Sequence, residues 1–313
     1  MIKNIKKISI AFMIFDTFFI FALSVFFYLS QPINTSKVVF VPKGGVSEII
    51  TYLASRNFKL SSIDKYVVVF LGHIQSGWID MKTTKLSRID FLKQLTVAKA
   101  AMTKITLIPG ETNFVFLNDI ANQLKLDSDK LLQEYKLIAP LQDGYLIPDT
   151  YSIPIGMSEK HLIYYLVNLS KKTHKELSNK IYGEYNERKW HKILTIASIV
   201  QKEAANDNEM PLVASVIYNR LSKNMRLQMD GTLNYGKYSH EKVTAQRIRS
   251  DTSGFNTYLN DGLPPSPICA VSINAIKAAI SPAKSDYLYF VLDRKNKRHK
   301  FSKTLKEHNE NIK

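Results

Sequence analysis

At 313 residues, with 45% hydrophobic and 11% aromatic composition, the chain has enough apolar material for one sizeable core and a smaller module, which excludes a disordered protein. Its 43 lysines and arginines against 27 acidic residues give a formal charge of +16, a bias toward nucleic acid, anionic lipid or an anionic polymer. The single Cys269 excludes an intramolecular disulfide, and no cysteine–histidine spacing suggests zinc, so no metal or cofactor is expected.

Ile8 to Leu29 is a nearly continuous apolar run rich in phenylalanine. At about 1.5 Å per residue it is long enough to cross a hydrocarbon core of roughly 30 Å. Asp16 is its one ionisable residue. Near a helix centre it costs about 2.5–3.5 kcal/mol, which the surrounding phenylalanine, isoleucine and leucine offset. Lys3, Lys6 and Lys7 precede the run and the next basic residue is Lys37, so the positive-inside bias predicts a cytoplasmic N-terminus with the rest of the chain outside. A cleaved signal peptide is the alternative, but its apolar region would be unusually long and no small-x-small site closes it.

Val38 to Val41 reads as a strand ended by Pro42, and Gly44-Gly45 leads into a helix with Val46, Ile49, Ile50 and Leu53 on one face. Tyr66 to Leu71 is another apolar run, Gly77-Trp78-Ile79 a short strand, and Ile89, Leu92 and Leu95 space a second helix. A small α+β module over 37–103 follows. Trp78 suits either a core position or stacking on a sugar face. Ile105 to Ile108 is a strand closed by Pro109-Gly110, and helical patterns follow at Leu117 to Leu124 and Leu131 to Leu137. Pro148 and Asp149 predict a rigid turn in which Asp149 caps its own backbone or, with Tyr151, shapes a cleft. His161 to Tyr185 reads as a long amphipathic helix with Lys171 and Lys172 on its solvated face.

The stretch from Ile193 to Gly236 puts ionisable groups where the apolar pattern alone would put core residues. Ile193, Ile196, Ala197, Val200 and Ala204 recur at helical spacing, Glu203 falls on the edge of that stripe, and Lys202 points the other way. A carboxylate against an apolar stripe is desolvated, which raises its pKa toward that of a general acid. Glu203 is therefore the candidate catalytic residue. Asn206, Asp207 and Asn208 break the helix, and Pro211 opens a second one whose inner face carries Val213, Ile217, Leu221 and Arg220, with Asn219 on its flank. The same pattern fits an ion pair between Glu203 and Arg220 that fixes the angle of two helices. Met225 to Gly236 then forms a turn crowded with hydrogen-bonding side chains, suited to a hydroxyl-rich ligand.

Gly254 to Pro267 is dense in rigid residues and reads as a preorganised wall. Ile273 to Ile280 is a short helix, Tyr287 to Leu292 a strand, and the turn Asp293 to Lys297 returns the chain toward a C-terminal helix. His299 and His308 are isolated and receive no catalytic role, since no serine or cysteine motif accompanies them.

Several strings in order, ASIVQKE, PLVASVIYNRL, MRLQMDGT, NTYLNDGLPPSPI, YLYFV and HKFSKTLKEHN, together with the turn at Glu111-Thr112 and DGYLIPDTY, resemble the successive motifs of the MltG/YceG family of membrane-anchored endolytic murein transglycosylases. The family's catalytic glutamate falls on Glu203. Asn219, Gln228, Asp230, Thr232 and Tyr235 match motif positions and are implied to bind or orient saccharide. The resemblance implies an α+β chain made of a transmembrane anchor (1–30), a LysM-like module (37–103) and a larger mixed α+β catalytic domain (104–313). It further implies that nascent peptidoglycan strands are cut outside the cytoplasmic membrane, in the periplasm, beside penicillin-binding-protein synthases. Three departures stand out: Gln201 replaces a usual glutamate, Gly231 a usual proline, and Ala270-Val271-Ser272 a usual asparagine-proline-glycine turn. From its angular position Gln201 reads as a surface residue.

Two readings compete with the enzyme. A non-catalytic, membrane-tethered murein-binding scaffold for cell-wall synthases would keep the anchor, the module and the basic surface. A nucleic-acid-binding protein explains the charge but conflicts with the topology and lacks a recognisable motif.

Overall fold

A computed structural model describes residues 2–312. The chain divides into two compact units, one made of Met1–Thr103 with Ser152–Ser158 and the other of Lys104–Tyr151 with Glu159–Lys313.

The first unit opens with α1 (Ile2–Ser30), a continuous helix. Its segment Phe12–Ser30 has a mean hydropathy of 2.1, and none of it is buried in the protein. It is long and apolar enough to cross a bilayer. Strands β1 (Pro32–Asn34) and β2 (Val38–Val41) follow, then α2 (Val46–Ser55), α3 (Asp64–Leu71), β3 (Gly77–Asp80), β4 (Lys85–Ser87) and α4 (Arg88–Val97). β1 pairs with β4 and β2 with β3, both antiparallel. Strand alternation sends Val39 and Val41 into a core with Ile49, Leu53, Val68, Ile79, Phe91 and Leu92. Phe40, on the other face, meets Trp78 across the pair at 5.3 Å, edge to face, so the indole is half-buried beside a ring of its own module. The apolar run at Tyr66 is helical despite its three consecutive valines. Val68 is fully buried on that helix, and this burial outweighs the strand preference of β-branched residues.

One buried ion pair, joined by Tyr28, ties α1 to the rest of this unit. Arg88 donates from Nη1 to Asp64 Oδ2 at 2.7 Å, the Tyr28 phenol donates to Asp64 Oδ1 at 3.0 Å, and the guanidinium lies 4.3 Å from the Tyr28 ring centre. Asp64 is wholly buried and Arg88 nearly so, and the two charges are paired, as buried charges usually are, although the Arg88 Nε is left without a partner.

Strands β5 (Met102–Thr106) and β6 (Thr150–Pro154) form a two-stranded sheet. The second unit holds α5 (Asn113–Leu124), α6 (Ser128–Ile138), α7 (Glu159–Tyr182), α8 (Glu187–Glu203), α9 (Met210–Ser222), α10 (Ala245–Ser250), α11 (Ile273–Ile280), the hairpin β7 (Tyr289–Asp293) and β8 (Arg298–Ser302), and α12 (Leu305–Ile312). Helices dominate, and among the described residues every sheet has only two strands. The chain is thus mixed α+β.

The core of this unit is built around α8. Trp190 and every residue from Ile193 to Val200 are buried, packed against Val213, Ala214 and Ile217 of α9 and Ala275, Ile276 and Ala279 of α11. At its base Trp190 Nε1 donates to His174 Nδ1 at 3.1 Å, so the proton of His174 sits on Nε2 and is donated to the Tyr145 carbonyl at 2.8 Å. Burial lowers the pKa of this imidazole to about 4, keeping it neutral. A helix surrounded by core along most of its length is a fixed mount for whatever its last turn carries.

Candidate active site

Glu203 is the last residue of α8. The helix stops there because Asn206 leaves helical geometry and caps the following 3-10 turn, accepting the Asn208 N–H at 3.1 Å, before Pro211 opens α9. The half-buried Glu203 side chain accepts the Gly231 N–H at Oε1, 2.8 Å away. Desolvation raises its pKa to about 7, the Gly231 N–H opposes that rise, and the neighbouring Asp230 carboxylate adds to it. Near neutral pH the group is thus poised to give up a proton and to take one back.

Asp230 is exposed and accepts the Tyr258 phenol at 2.7 Å. Burial first, then Asp230, raise the phenol's pKa, so Tyr258 stays a hydrogen-bond donor. Tyr235 is half-buried, stacks on Phe255 at 4.3 Å and reaches Asp251 with its hydroxyl at 3.3 Å. Gln228 is exposed, its backbone held at φ 47 by the bond from its N–H to the Thr257 carbonyl.

Two motif residues face into the scaffold. Thr232 is fully buried, donating to the Met229 carbonyl at 2.7 Å and lying 3.0 Å from the Thr257 hydroxyl. Asn219 commits its amide nitrogen to the carbonyls of Ser285 and Tyr287, at 2.8 and 2.9 Å. Arg220 points inward as its periodicity predicts, but its bonds go to the carbonyls of Leu288, Arg226 and Leu227 and its guanidinium lies over Tyr289. A cation can be satisfied by converging carbonyls as well as by a carboxylate, and here the strip 226–227 is pinned to the start of β7 without Glu203.

Lys202 does not point to solvent. Its Nζ reaches the Ser239 hydroxyl at 3.3 Å, and that hydroxyl donates to Glu111 Oε1 at 2.8 Å, while His240 Nε2 lies 2.8 Å from Glu111 Oε2. Burial works to raise the pKa of Glu111, but the Thr112 N–H, Ser239 and His240 outweigh it and hold the carboxylate below its usual range. The flank of α8 next to Glu203 therefore carries a cation, a hydroxyl and a carboxylate in series. Asp143 lies near both Lys202 and Glu111, buried, accepting the Asn113 N–H at 2.6 Å, with its pKa raised to about 7 by burial. Lys202, Glu111, Asp143, Ser239 and Tyr258 escape sequence reasoning because their partners are distant in the chain. The signals available were Lys202 beside the acid and Glu111 inside a family-like turn.

Asp149 and Tyr151 build their own turn: Asp149 accepts the Thr150 N–H at 2.7 Å, and the buried Tyr151 phenol donates to the Ile147 carbonyl. Gln201 is half-buried rather than on the surface, accepting the Ser272 N–H at Oε1 at 3.0 Å. Ser272 in turn caps α11, and Ala270 exchanges backbone bonds with the turn before α5, donating to the Glu111 carbonyl at 2.7 Å and accepting the Gly110 N–H at 2.8 Å.

Asp143→Asn gives a first expected outcome. The folded-state pKa lies above the unfolded value of 3.8, so wild type loses stability as pH rises from about 4 to about 7 while a neutral amide does not. The variant keeps an oxygen for the Asn113 N–H. It should be as stable as wild type near pH 4 and more stable by ~1–3 kcal/mol at pH 8. Thermal denaturation at the two pH values checks this.

A helix-borne acid of raised proton affinity, with the Asp230 carboxylate and the Tyr258 phenol beside it, makes a candidate acid–base site. The chain belongs to the YceG-like family, whose sequence pattern matches residues 39–313. It is 30% identical over 323 residues to the endolytic murein transglycosylase of Bacillus subtilis strain 168, covering 93% of this chain and 88% of that protein. It is 34% identical over 175 residues to the endolytic murein transglycosylase of Streptococcus pneumoniae D39, which spans 54% of this chain and 31% of that longer one. The crystal structure of a YceG-like protein from Listeria monocytogenes matches with a TM-score of 0.57 at 31% identity, covering 91% of this chain and all of that one.

Proposed function

We propose that this protein is an endolytic murein transglycosylase, anchored in the cytoplasmic membrane by α1, that cuts nascent glycan strands on the outer side and so ends their elongation. The observation that carries the reading is Glu203: a carboxyl at the end of a buried helix, held by one main-chain N–H and raised to a pKa of about 7. The names of the related proteins supply the substrate class.

Glu203 first gives its proton to the oxygen that links N-acetylmuramic acid to N-acetylglucosamine, and the bond from that oxygen to the anomeric carbon breaks. The resulting Glu203 carboxylate takes the proton of the muramic 6-hydroxyl, whose oxygen closes on the anomeric carbon to form a 1,6-anhydro end. No water is consumed, and the acid is restored for the next cycle. Because attack is intramolecular, orientation replaces a second reactant. Of the residues implied by resemblance, Gln228, Asp230 and Tyr235 are assigned to the saccharide, with Tyr258 added through Asp230; Asn219 and Thr232 are assigned to holding the strip that carries them. The module over 37–103 is assigned glycan binding of the LysM-like kind, and action on nascent strands places the enzyme beside penicillin-binding-protein synthases.

Digestion of uncrosslinked glycan strands by the full chain in detergent, with mass spectrometry of the new ends, tests the reading. Anhydro-muramic ends are expected. Reducing muramic ends would assign the reaction to a hydrolase with Asp230 as its second carboxylate. Binding without cleavage would leave the murein-binding scaffold.

A further inference from the structure

Helix α3 carries an apolar stripe that the protein does not cover. Ile63, just before it, and Tyr66, Val69 and Phe70 within it are 57%, 68%, 65% and 90% exposed. Their spacing of three, three and one puts them along one side of the helix, opposite the buried Val68 and Asp64. A phenylalanine nine-tenths exposed on a helix of a well-packed module needs a partner or loses the benefit of burial.

The position of α3 says which partner. Tyr28 lies in the last turn of the apolar segment Phe12–Ser30, and its phenol oxygen is 2.6 Å from the Ser61 hydroxyl and 3.0 Å from Asp64 Oδ1, which belong to the turn that starts α3. Arg88, over the Tyr28 ring and paired with Asp64, locks that junction. If α1 spans a bilayer, Tyr28 sits at the edge of the hydrocarbon, and a tyrosine is well suited to that level. The headgroup layer beyond it is roughly 5–8 Å deep, and α3 is only about 12 Å long, so a helix fastened to Tyr28 begins within the lipid interface. Lys65 accompanies the stripe with its ammonium 4.9 Å from the Tyr66 ring, and Arg56 and Lys59 precede it, a basic setting for anionic headgroups.

We propose that the Ile63–Tyr66–Phe70 face of α3 is a membrane-surface contact that lies in the outer interface of the bilayer crossed by α1. The inference rests on the reading of α1 as a span. Two attachments, the span and this face joined through Tyr28, Asp64 and Arg88, would set the orientation of the first unit on the membrane, where a single helix would leave it free to swivel.

The test uses the full chain reconstituted in phosphatidylcholine–phosphatidylglycerol vesicles, with an environment-sensitive fluorophore on Tyr66→Cys, Phe70→Cys or, as a reference, Ile20→Cys. The natural Cys269 is fully buried. The labels at 66 and 70 should be blue-shifted, lose intensity when the lipids carry bromine high on their chains, and resist aqueous iodide. The label at 20 should be quenched by bromine placed deep in the chains. Iodide quenching at 66 and 70 with no bromine effect, while position 20 still reports deep lipid, overturns the surface contact alone. Loss of the deep-lipid signal at position 20, with release of the chain by alkaline carbonate, overturns the span and the contact with it. Bromine-insensitive labels that are also shielded from iodide would mean a protein partner, and the lipid assignment would be wrong.

Discussion

Glu203→Gln should lower the rate of glycan-strand cleavage by about 10²–10⁴-fold, the usual worth of a positioned general acid–base. Glutamine keeps an oxygen for the Gly231 N–H, which Glu203 accepts at 2.8 Å, so the local fold should persist. Two pH signatures separate catalysis from structure. Wild-type activity should fall as pH rises through about 7, where the acid form is lost, and whatever activity the variant retains should not follow that decline. The substitution should move stability opposite to activity. The folded-state pKa of Glu203 is raised above its ordinary 4.5, so wild type gives up stability between about pH 4.5 and 7, and the neutral variant should be the more stable protein at pH 8 and equal to it at pH 4. A variant that loses activity and gains stability is what a strained catalytic position predicts. Full activity in Glu203→Gln, measured by the yield of new strand ends, would remove Glu203 from the mechanism.

Gly231→Ala is the second large effect. A methyl group built on Gly231 would lie 2.7 Å from Lys202 Cβ and 2.8 Å from Glu203 Oε1, both inside van der Waals contact. Neither neighbour can yield freely: Lys202 Cβ is attached to the last turn of a buried helix, and the carboxylate is bonded to the very residue being changed. The alanine N–H remains, so any loss reports displacement of the acid and not removal of the donor. Shifts of an ångström at a reacting group can cost about 10²-fold in rate. Overpacking should also destabilise the fold by ~1–3 kcal/mol. Steady-state kinetics on strands and a thermal melt, taken together, check both numbers; an unchanged rate would mean that the acid is not held by this contact during turnover.

How far the sequence could be read depends on which physical signal each residue leaves. Glu203 is legible because helical periodicity reports its place on an apolar stripe directly, and the same signal finds α2, α4 and α11. It cannot report what comes from elsewhere in the chain. Lys202 looks solvent-facing on a helical projection, yet Ser239 and Glu111 meet it there. Gln201 looks exposed for the same reason, and the Ser272 N–H finds it. Asn219 and Thr232 match motif positions, but a motif does not distinguish a side chain offered to substrate from one that braces the segment carrying it. Arg220 is correctly placed inward while its partners, carbonyls of irregular backbone, leave no trace in residue type. The valines of α3 suggest a strand locally, and burial of one of them in the folded module decides for a helix.

The three departures from the family's motifs fall on one short stretch of α8 and its surroundings. Gln201 holds Ser272, Ala270 is bonded through its backbone to Glu111, and Gly231 lies against Lys202 and Glu203. In terms of descent, a replacement at one of these positions is felt at the neighbours of the others, so their effects are not independent. A residue changed alone at one of these positions meets neighbours that are linked to the other two. Among close kin, these replacements should therefore be inherited as a set.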